Sequence, residues 1–192
     1  MREAFEPDLR IVAGRFPGAR WCPSPNRDPR PACASIELVV IHAISLPPGC
    51  FGTGDVDALF TNCLDPEAHP AYQDLRGVHV SSHLLIERDG ALVQYVPFHL
   101  RAWHAGRSAW CGRERCNDFS IGIELEGTDT VPYTDVQYAS LARVIRRLRA
   151  VYRTIGPDAI VGHADIAPGR KTDPGPAFDW ARLRRHLAGA GA

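Results

Sequence analysis

Lysine is almost absent from this 192-residue chain: of its 22 basic residues only Lys171 is not arginine. Basic residues do not outnumber acidic ones, 22 against 22, so there is no surplus charge to track phosphates or anionic lipid, and nucleic acid and membrane surfaces are excluded as expected partners. No stretch approaches the roughly 20 apolar residues of a membrane span. The amino-terminal MREAFEPDLRIVAG is charged, is broken by Pro7, and lacks the apolar run and small-residue cleavage site of a secretory signal. A cytoplasmic protein, acting as a monomer, is expected. The six cysteines, at 22, 33, 50, 63, 111 and 116, make no CxxC pair. Free thiols are therefore expected, and a cysteine metal site is not. A chain of this length can bury a core without disulfide or metal staples, so any metal site calls for a chemical reason.

Residues 17–34 are dense in proline and polar side chains and read as an ordered entry loop. IELVVI at 36–41 is near-continuously apolar and β-branched, which suits a central buried strand. SLPPGCFGTG is turn chemistry, and the helical spacing of VDALFTNCL follows with Asp55 as N-cap. Residues 79–98 read as two antiparallel strands around the Asp89-Gly90 hairpin signal. Residues 105–118 are polar and irregular. In FSIGIELEG, Ile121, Ile123 and Leu125 alternate with Gly122, Glu124 and Glu126, putting the two acids on the face opposite the apolar residues. The longest helix is predicted from Thr134, whose spacing to Gln137 matches a capping box, with Leu141, Val144, Ile145, Leu148 and Tyr152 on one face. AIVGH reads as a short strand ending at His163, and FDWARLRRHL as a last amphipathic helix. Strands alternating with helices but containing a hairpin predict an α/β fold, a central mixed β-sheet flanked by helices, in one domain over 1–192 with its core at about 21–180.

Two places carry metal-ligand chemistry. His42 follows the apolar strand, where a rigid sheet fixes an imidazole whose ring projects past the core. GHADIAPGRKTDPGP, at 162–176, puts His163, Asp165, Lys171 and Asp173 in a loop stiffened by proline and glycine. Two neutral imidazoles and one carboxylate, with a fourth position open, is a recurrent catalytic zinc arrangement, whereas structural zinc favours four cysteine-rich ligands. Asp165 and Asp173 both compete for the third place. Asp165 is suited to capping its own turn, and Asp173, two residues from Lys171 in an extended segment, brings an ammonium to the metal's side.

The motifs VIHAISLPPG (apart from Ala43), VSSHLLIERDG, RAWHAG, GRERCNDFSIGIELEGTD and GHADIAPGRKTDPGPAFDW, spanning about Trp21 to Trp180, resemble the zinc-dependent type 2 N-acetylmuramoyl-L-alanine amidases. That family shares its fold with peptidoglycan recognition proteins and phage amidase-lysozymes. More narrowly, these motifs are similar to the cytosolic 1,6-anhydro-N-acetylmuramyl-L-alanine amidases of cell-wall recycling. The resemblance implies one Zn2+ per chain on His42, His163 and Asp173, with a soluble anhydromuropeptide as substrate. It also implies Glu124 as the acid/base carboxylate and Lys171 as stabiliser of the oxyanion. Spacing alone leaves Glu124 and Glu126 equivalent, and the resemblance selects Glu124.

For substrate contacts, Trp103 and His104 are expected to line a sugar-binding wall, with core packing as the alternative for Trp103. Arg115 is expected to pair with a peptide carboxylate, with a solvated arginine as the alternative. His69, His99 and His186 lack a ligand pattern and read as surface or packing residues. Ala43 stands where the family usually has Asn after the first ligand, and His79 where Arg commonly precedes VSSH. Both changes shorten polar reach on the expected peptide side. A non-catalytic muropeptide-binding module of the same fold is the rival reading, disfavoured because the full ligand set, Glu124 and Lys171 are all present. An exported or phage amidase acting on intact wall is disfavoured by the missing signal and the RERCND segment.

Overall fold

The computed structural model describes residues 9–189; the first eight residues of the charged amino-terminal stretch lie outside the described residues. In chain order the strands are β1 (Arg20–Trp21), β2 (Arg27–Pro29), β3 (Leu38–Ile44), β4 (Leu84–Ile86), β5 (Leu92–Gln94), β6 (Leu100–Ala102), β7 (Ala109–Trp110), β8 (Arg113–Glu114), β9 (Ser120–Glu126) and β10 (Ile160–Gly162). The helices are α1 (Asp55–Phe60), α2 (Asp135–Val151), α3 (His163–Ile166) and α4 (Trp180–Ala188).

Six strands form the main sheet in the order β1-β5-β4-β9-β3-β10. β4, β9, β3 and β10 run parallel, and the β4-β5 hairpin supplies an antiparallel pair. The sheet is mixed, as the hairpin signal predicts. The apolar run at 36–41 is indeed central, but pairing with β9 carries β3 on to Ile44, opposite Glu126. His42 is thus inside the strand rather than just past its end, and faces Glu124 in register.

The alternation in β9 sorts its side chains between two environments. Ile121, Ile123 and Leu125 pack with Leu141, Val144, Ile145 and Leu148 of α2 and Leu183 of α4. The opposite face meets a second apolar cluster built from Leu59, Phe60, Leu85 and Tyr95. Glu124 and Glu126, at 7% and 6% exposure, are therefore buried rather than solvated.

The capping box of α2 is formed in full. Thr134 Oγ1 accepts from the Gln137 N–H at 3.2 Å, and Gln137 Oε1 accepts from the Thr134 N–H at 3.0 Å. Gln137 Nε2 also donates to the carbonyls of Ile86 and Glu126, tying the helix start to the ends of β4 and β9. Thr134→Ala loses this cap and the hydroxyl's bond to the Arg88 carbonyl. The expected cost is about 1–2 kcal/mol, read as a lower urea midpoint at unchanged slope.

Two local expectations are corrected. α1 is six residues long and its N-cap is Gly54, not Asp55, because the Asp55 carboxylate is engaged by the Tyr72 hydroxyl at 2.7 Å. Residues 105–118 hold the β7-β8 ladder and a short 3-10 turn. The entry segment is ordered, as expected, but it is not all loop, since it carries β1 and β2, which pair with β5 and β6. Its Arg30 donates to the carbonyls of Phe98, Asn117, Asp118 and Ser120.

Candidate active site

The site lies at the carboxyl ends of three adjacent parallel strands, where loops can carry polar groups without breaking the sheet. His42 is on β3, Glu124 on the neighbouring β9, and His163 opens the one-turn helix directly after β10. The 163–173 loop then closes on itself. The Ala164 N–H donates to the Asp173 carbonyl at 3.0 Å, and the Lys171 N–H donates to the Ala167 carbonyl at 3.1 Å. Gly162 permits that closure, since a Cβ there would stand 2.8 Å from Pro174 Cδ. Asp165 accepts from the Gly162 N–H at 2.7 Å; it caps the turn, and Asp173 takes the position beside the histidines.

His42 Nδ1 and His163 Nδ1 are 3.0 Å apart, and each is 3.1 Å from Asp173 Oδ2. Tetrahedral zinc ligands at about 2.0–2.1 Å from the ion stand about 3.3 Å from one another. The near-equilateral triangle of two nitrogens and one carboxylate oxygen therefore fits one ion. Among the described residues this is the one group of three or more such side chains close enough to do so. His163 Nε2 donates to the Ala105 carbonyl at 3.2 Å, leaving its Nδ1 as a lone pair directed at the triangle. The arrangement supports a metal centre.

The electrostatics are those of a buried site. Burial, reinforced by the second imidazole and opposed by Asp173, pushes His42 down to about 4, which keeps it neutral as a ligand must be. Burial also raises the Asp173 carboxyl, but its contacts with His163 and His42 outweigh that and hold it well below the usual carboxylate range. Glu124 is raised well above the usual range by burial and then by the Asp173 charge, with Lys171 opposing.

A cleft of about 290 Å3 opens over this face, and His42, His163, Asp173, Glu124, Lys171 and Trp103 all line it. Its remaining wall is mostly aliphatic, with Leu46, Leu59, Phe60 and Val80 among the lining residues, and Ala43 also borders it. Glu124 and Glu126 are no longer equivalent. The Glu126 carboxylate accepts from the Gly52 and Arg88 N–H groups, whereas among the described residues no hydrogen bond reaches that of Glu124.

The other expected contacts divide between this cleft and a second groove. His104 touches the cleft floor, but both of its ring nitrogens are engaged by protein partners, His42 and Ser120. It is therefore not a free sugar-binding donor. Arg115 does not reach this cleft. It lies, 71% exposed, in an adjoining groove with Arg107 and Arg170, and it contacts Asp118 at 3.3 Å. His79 borders a small neighbouring groove. Sequence reasoning missed the Ala105 carbonyl and Asn117, whose Oδ1 accepts from the N–H groups of His104 and Ala105. No sequence pattern marks a backbone acceptor, but the glycine inside the β9 pattern was a signal of close approach.

Residues 32–176 match the family of N-acetylmuramoyl-L-alanine amidases. The chain is 60% identical over 176 residues to the 1,6-anhydro-N-acetylmuramyl-L-alanine amidase AmpD of Escherichia coli K12, covering 92% of this chain and 96% of that protein. It is 51% identical over 172 residues to the AmpD of Haemophilus influenzae, covering 90% and 94%. A crystal structure of a selenomethionine derivative of AmpD superposes with a TM-score of 0.90 at 56% identity, covering 93% of this chain and 99% of that one. The Escherichia coli amidase AmiD, solved with anhydro-N-acetylmuramic acid-L-Ala-D-gamma-Glu-L-Lys, gives 0.58 at 34% identity, over 85% of this chain and 62% of that one. By sequence, fold and the geometry of its site, the chain belongs to the N-acetylmuramoyl-L-alanine amidase family.

Proposed function

We propose that the chain is a single-domain, zinc-dependent amidase. Its reaction cleaves the bond between the lactyl group of 1,6-anhydro-N-acetylmuramic acid and the L-alanine of soluble muropeptides, in cytoplasmic peptidoglycan recycling. The observation that carries this reading is the convergence of the His42, His163 and Asp173 ligand atoms at 3.0–3.1 Å in the cleft that Glu124 and Lys171 also line. The relatives named for the anhydro sugar, and the substrate solved in AmiD, support the substrate class. The proposal includes action as a monomer, and six free cysteines suit a reducing compartment.

The two imidazoles and the carboxylate would hold the zinc, which would supply a Lewis acid and acidify water toward neutral pH. Glu124, which lines the cleft beside the three ligands, takes the proton of the attacking water and delivers it to the leaving nitrogen of L-alanine. Lys171 presents its ammonium to the carbonyl oxygen as negative charge develops there. The aliphatic wall and Trp103 receive the apolar side of the sugar and keep bulk water from the reacting bond. Arg115, with Arg107, offers guanidinium forks to peptide carboxylates that extend past the cleft.

Lys171→Arg keeps the charge but replaces a compact ammonium with a planar fork. Removing an oxyanion donor costs about 10²–10³-fold in kcat; Lys171→Met is expected to lose that much, and Lys171→Arg to fall between it and the wild type. Steady-state kinetics check this, and full turnover by Lys171→Met would sink the role. The reading as a whole is tested by offering anhydromuramyl-tripeptide to zinc-loaded and to chelated enzyme. Release of L-Ala-peptide should stop on chelation and return with zinc, and cleavage that survives complete zinc removal overturns the mechanism.

A further inference from the structure

We propose that His104 is a positioning residue for the metal site, the middle member of a Ser120–His104–His42 hydrogen-bond chain. This chain holds His42 with its proton on Nε2 and its Nδ1 lone pair turned to the ion. The inference rests on the metal reading above. His42 Nδ1 stands 3.0 Å from His163 Nδ1 and 3.1 Å from Asp173 Oδ2, so for it to serve as a ligand its proton must sit on Nε2. His42 Nε2 is 2.9 Å from His104 Nδ1, which must then be the acceptor, and the proton of His104 is left on Nε2. That nitrogen is 3.0 Å from Ser120 Oγ, and a hydroxyl can accept as readily as donate. One requirement at the metal thus assigns every proton along the chain without conflict.

Three further features show that this contact is built rather than incidental. A Cβ on Gly122 would lie 2.5 Å from His104 Cγ and 2.7 Å from its Nδ1, so a glycine in the middle of a central strand clears the space the ring occupies. His104 is 9% exposed and Ser120 is fully buried, so water does not compete for these bonds. The Asn117 side chain anchors the N–H groups of His104 and Ala105 together, at 3.1 and 2.8 Å. Ala105 in turn accepts from His163. Consecutive residues 104 and 105 therefore orient both imidazole ligands, one through a side chain and the other through a main-chain carbonyl. A ligand's outer partner of this kind typically accounts for about 10–100-fold in metal affinity.

The test compares His104→Leu with His104→Asn, two side chains of nearly equal shape. Only Asn places an acceptor oxygen where the ring's Nδ1 stands. Zinc affinity of the metal-stripped proteins is measured by competition with a chromophoric chelator, and thermal unfolding of the same samples reports whether each is folded. His104→Leu is expected to bind zinc about 10–100-fold more weakly than wild type, His104→Asn to recover most of that loss, and Ser120→Ala to lose several-fold. Wild-type affinity in a folded His104→Leu protein overturns the proposal, as does a loss that Asn fails to recover, which would mark a packing role. Should His104→Leu not fold, Ser120→Ala decides alone, and unchanged affinity there overturns the chain. A wild-type protein that takes up no zinc overturns the metal reading itself.

Discussion

Glu124→Gln is expected to lower turnover by about 10²–10⁴-fold, the usual worth of a positioned acid/base group, while zinc affinity stays at the wild-type value. The substitution keeps the shape of the side chain and removes only its ability to take and return a proton. Glu124 contributes no atom to the ligand triangle, whose three members are His42, His163 and Asp173. Its carboxylate makes no hydrogen bond among the described residues, so the amide replaces no structural contact. Glu126→Gln is the informative control. That carboxylate accepts from the Gly52 and Arg88 N–H groups, and its loss should loosen the 46–54 loop and reduce stability without a comparable fall in kcat. Single-turnover kinetics together with chelator competition separate these outcomes. A Glu124→Gln enzyme with normal zinc binding and near-full turnover would falsify the acid/base assignment.

Asp173→Ala should abolish activity by a different route, through the metal. It deletes the one anionic ligand and leaves two neutral nitrogens, so the loss in affinity should exceed the about 10–100-fold typical of an outer-shell partner. The fold should survive, because the core on either side of the sheet is built without the metal and a chain of this size is stable on burial alone. Thermal unfolding with and without zinc checks both statements. Saturating zinc at about 100 times its Kd should stabilise the wild type by about 2.7 kcal/mol, and at the same concentration Asp173→Ala should show little shift. A zinc-induced shift equal to wild type in Asp173→Ala would remove Asp173 from the ligand set.

The two variants also differ in what the sequence could say about them. His42, His163 and Asp173 follow from ligand chemistry and spacing, which leave Asp165 as a competitor; the fold uses the Asp165 carboxylate to cap the turn at Gly162. The strand that carries His42, the hairpin at Asp89-Gly90 and the capping box at Thr134 were readable for the same reason: each depends on residues a few positions apart. Where the structure departs from local pattern, a distant partner intervenes. Tyr72 claimed the carboxylate expected to cap α1, and β9 extended β3 past its apolar run.

By itself, then, the sequence determined the mixed sheet, the residues able to bind a metal and, through extended motifs, the family. These are properties of local pattern and of side-chain chemistry, and both are written along the chain. Only the tertiary structure decided what each polar group is free to do. Among the described residues it left Glu124 without a hydrogen bond beside the metal triangle while giving Glu126 to two backbone donors, bonded both ring nitrogens of His104 to His42 and Ser120, and set Arg115 in a separate groove. Those outcomes depend on donors and acceptors brought together from segments tens of residues apart. In a buried site, where water cannot satisfy a polar group, the neighbours that do so decide which groups remain free for chemistry.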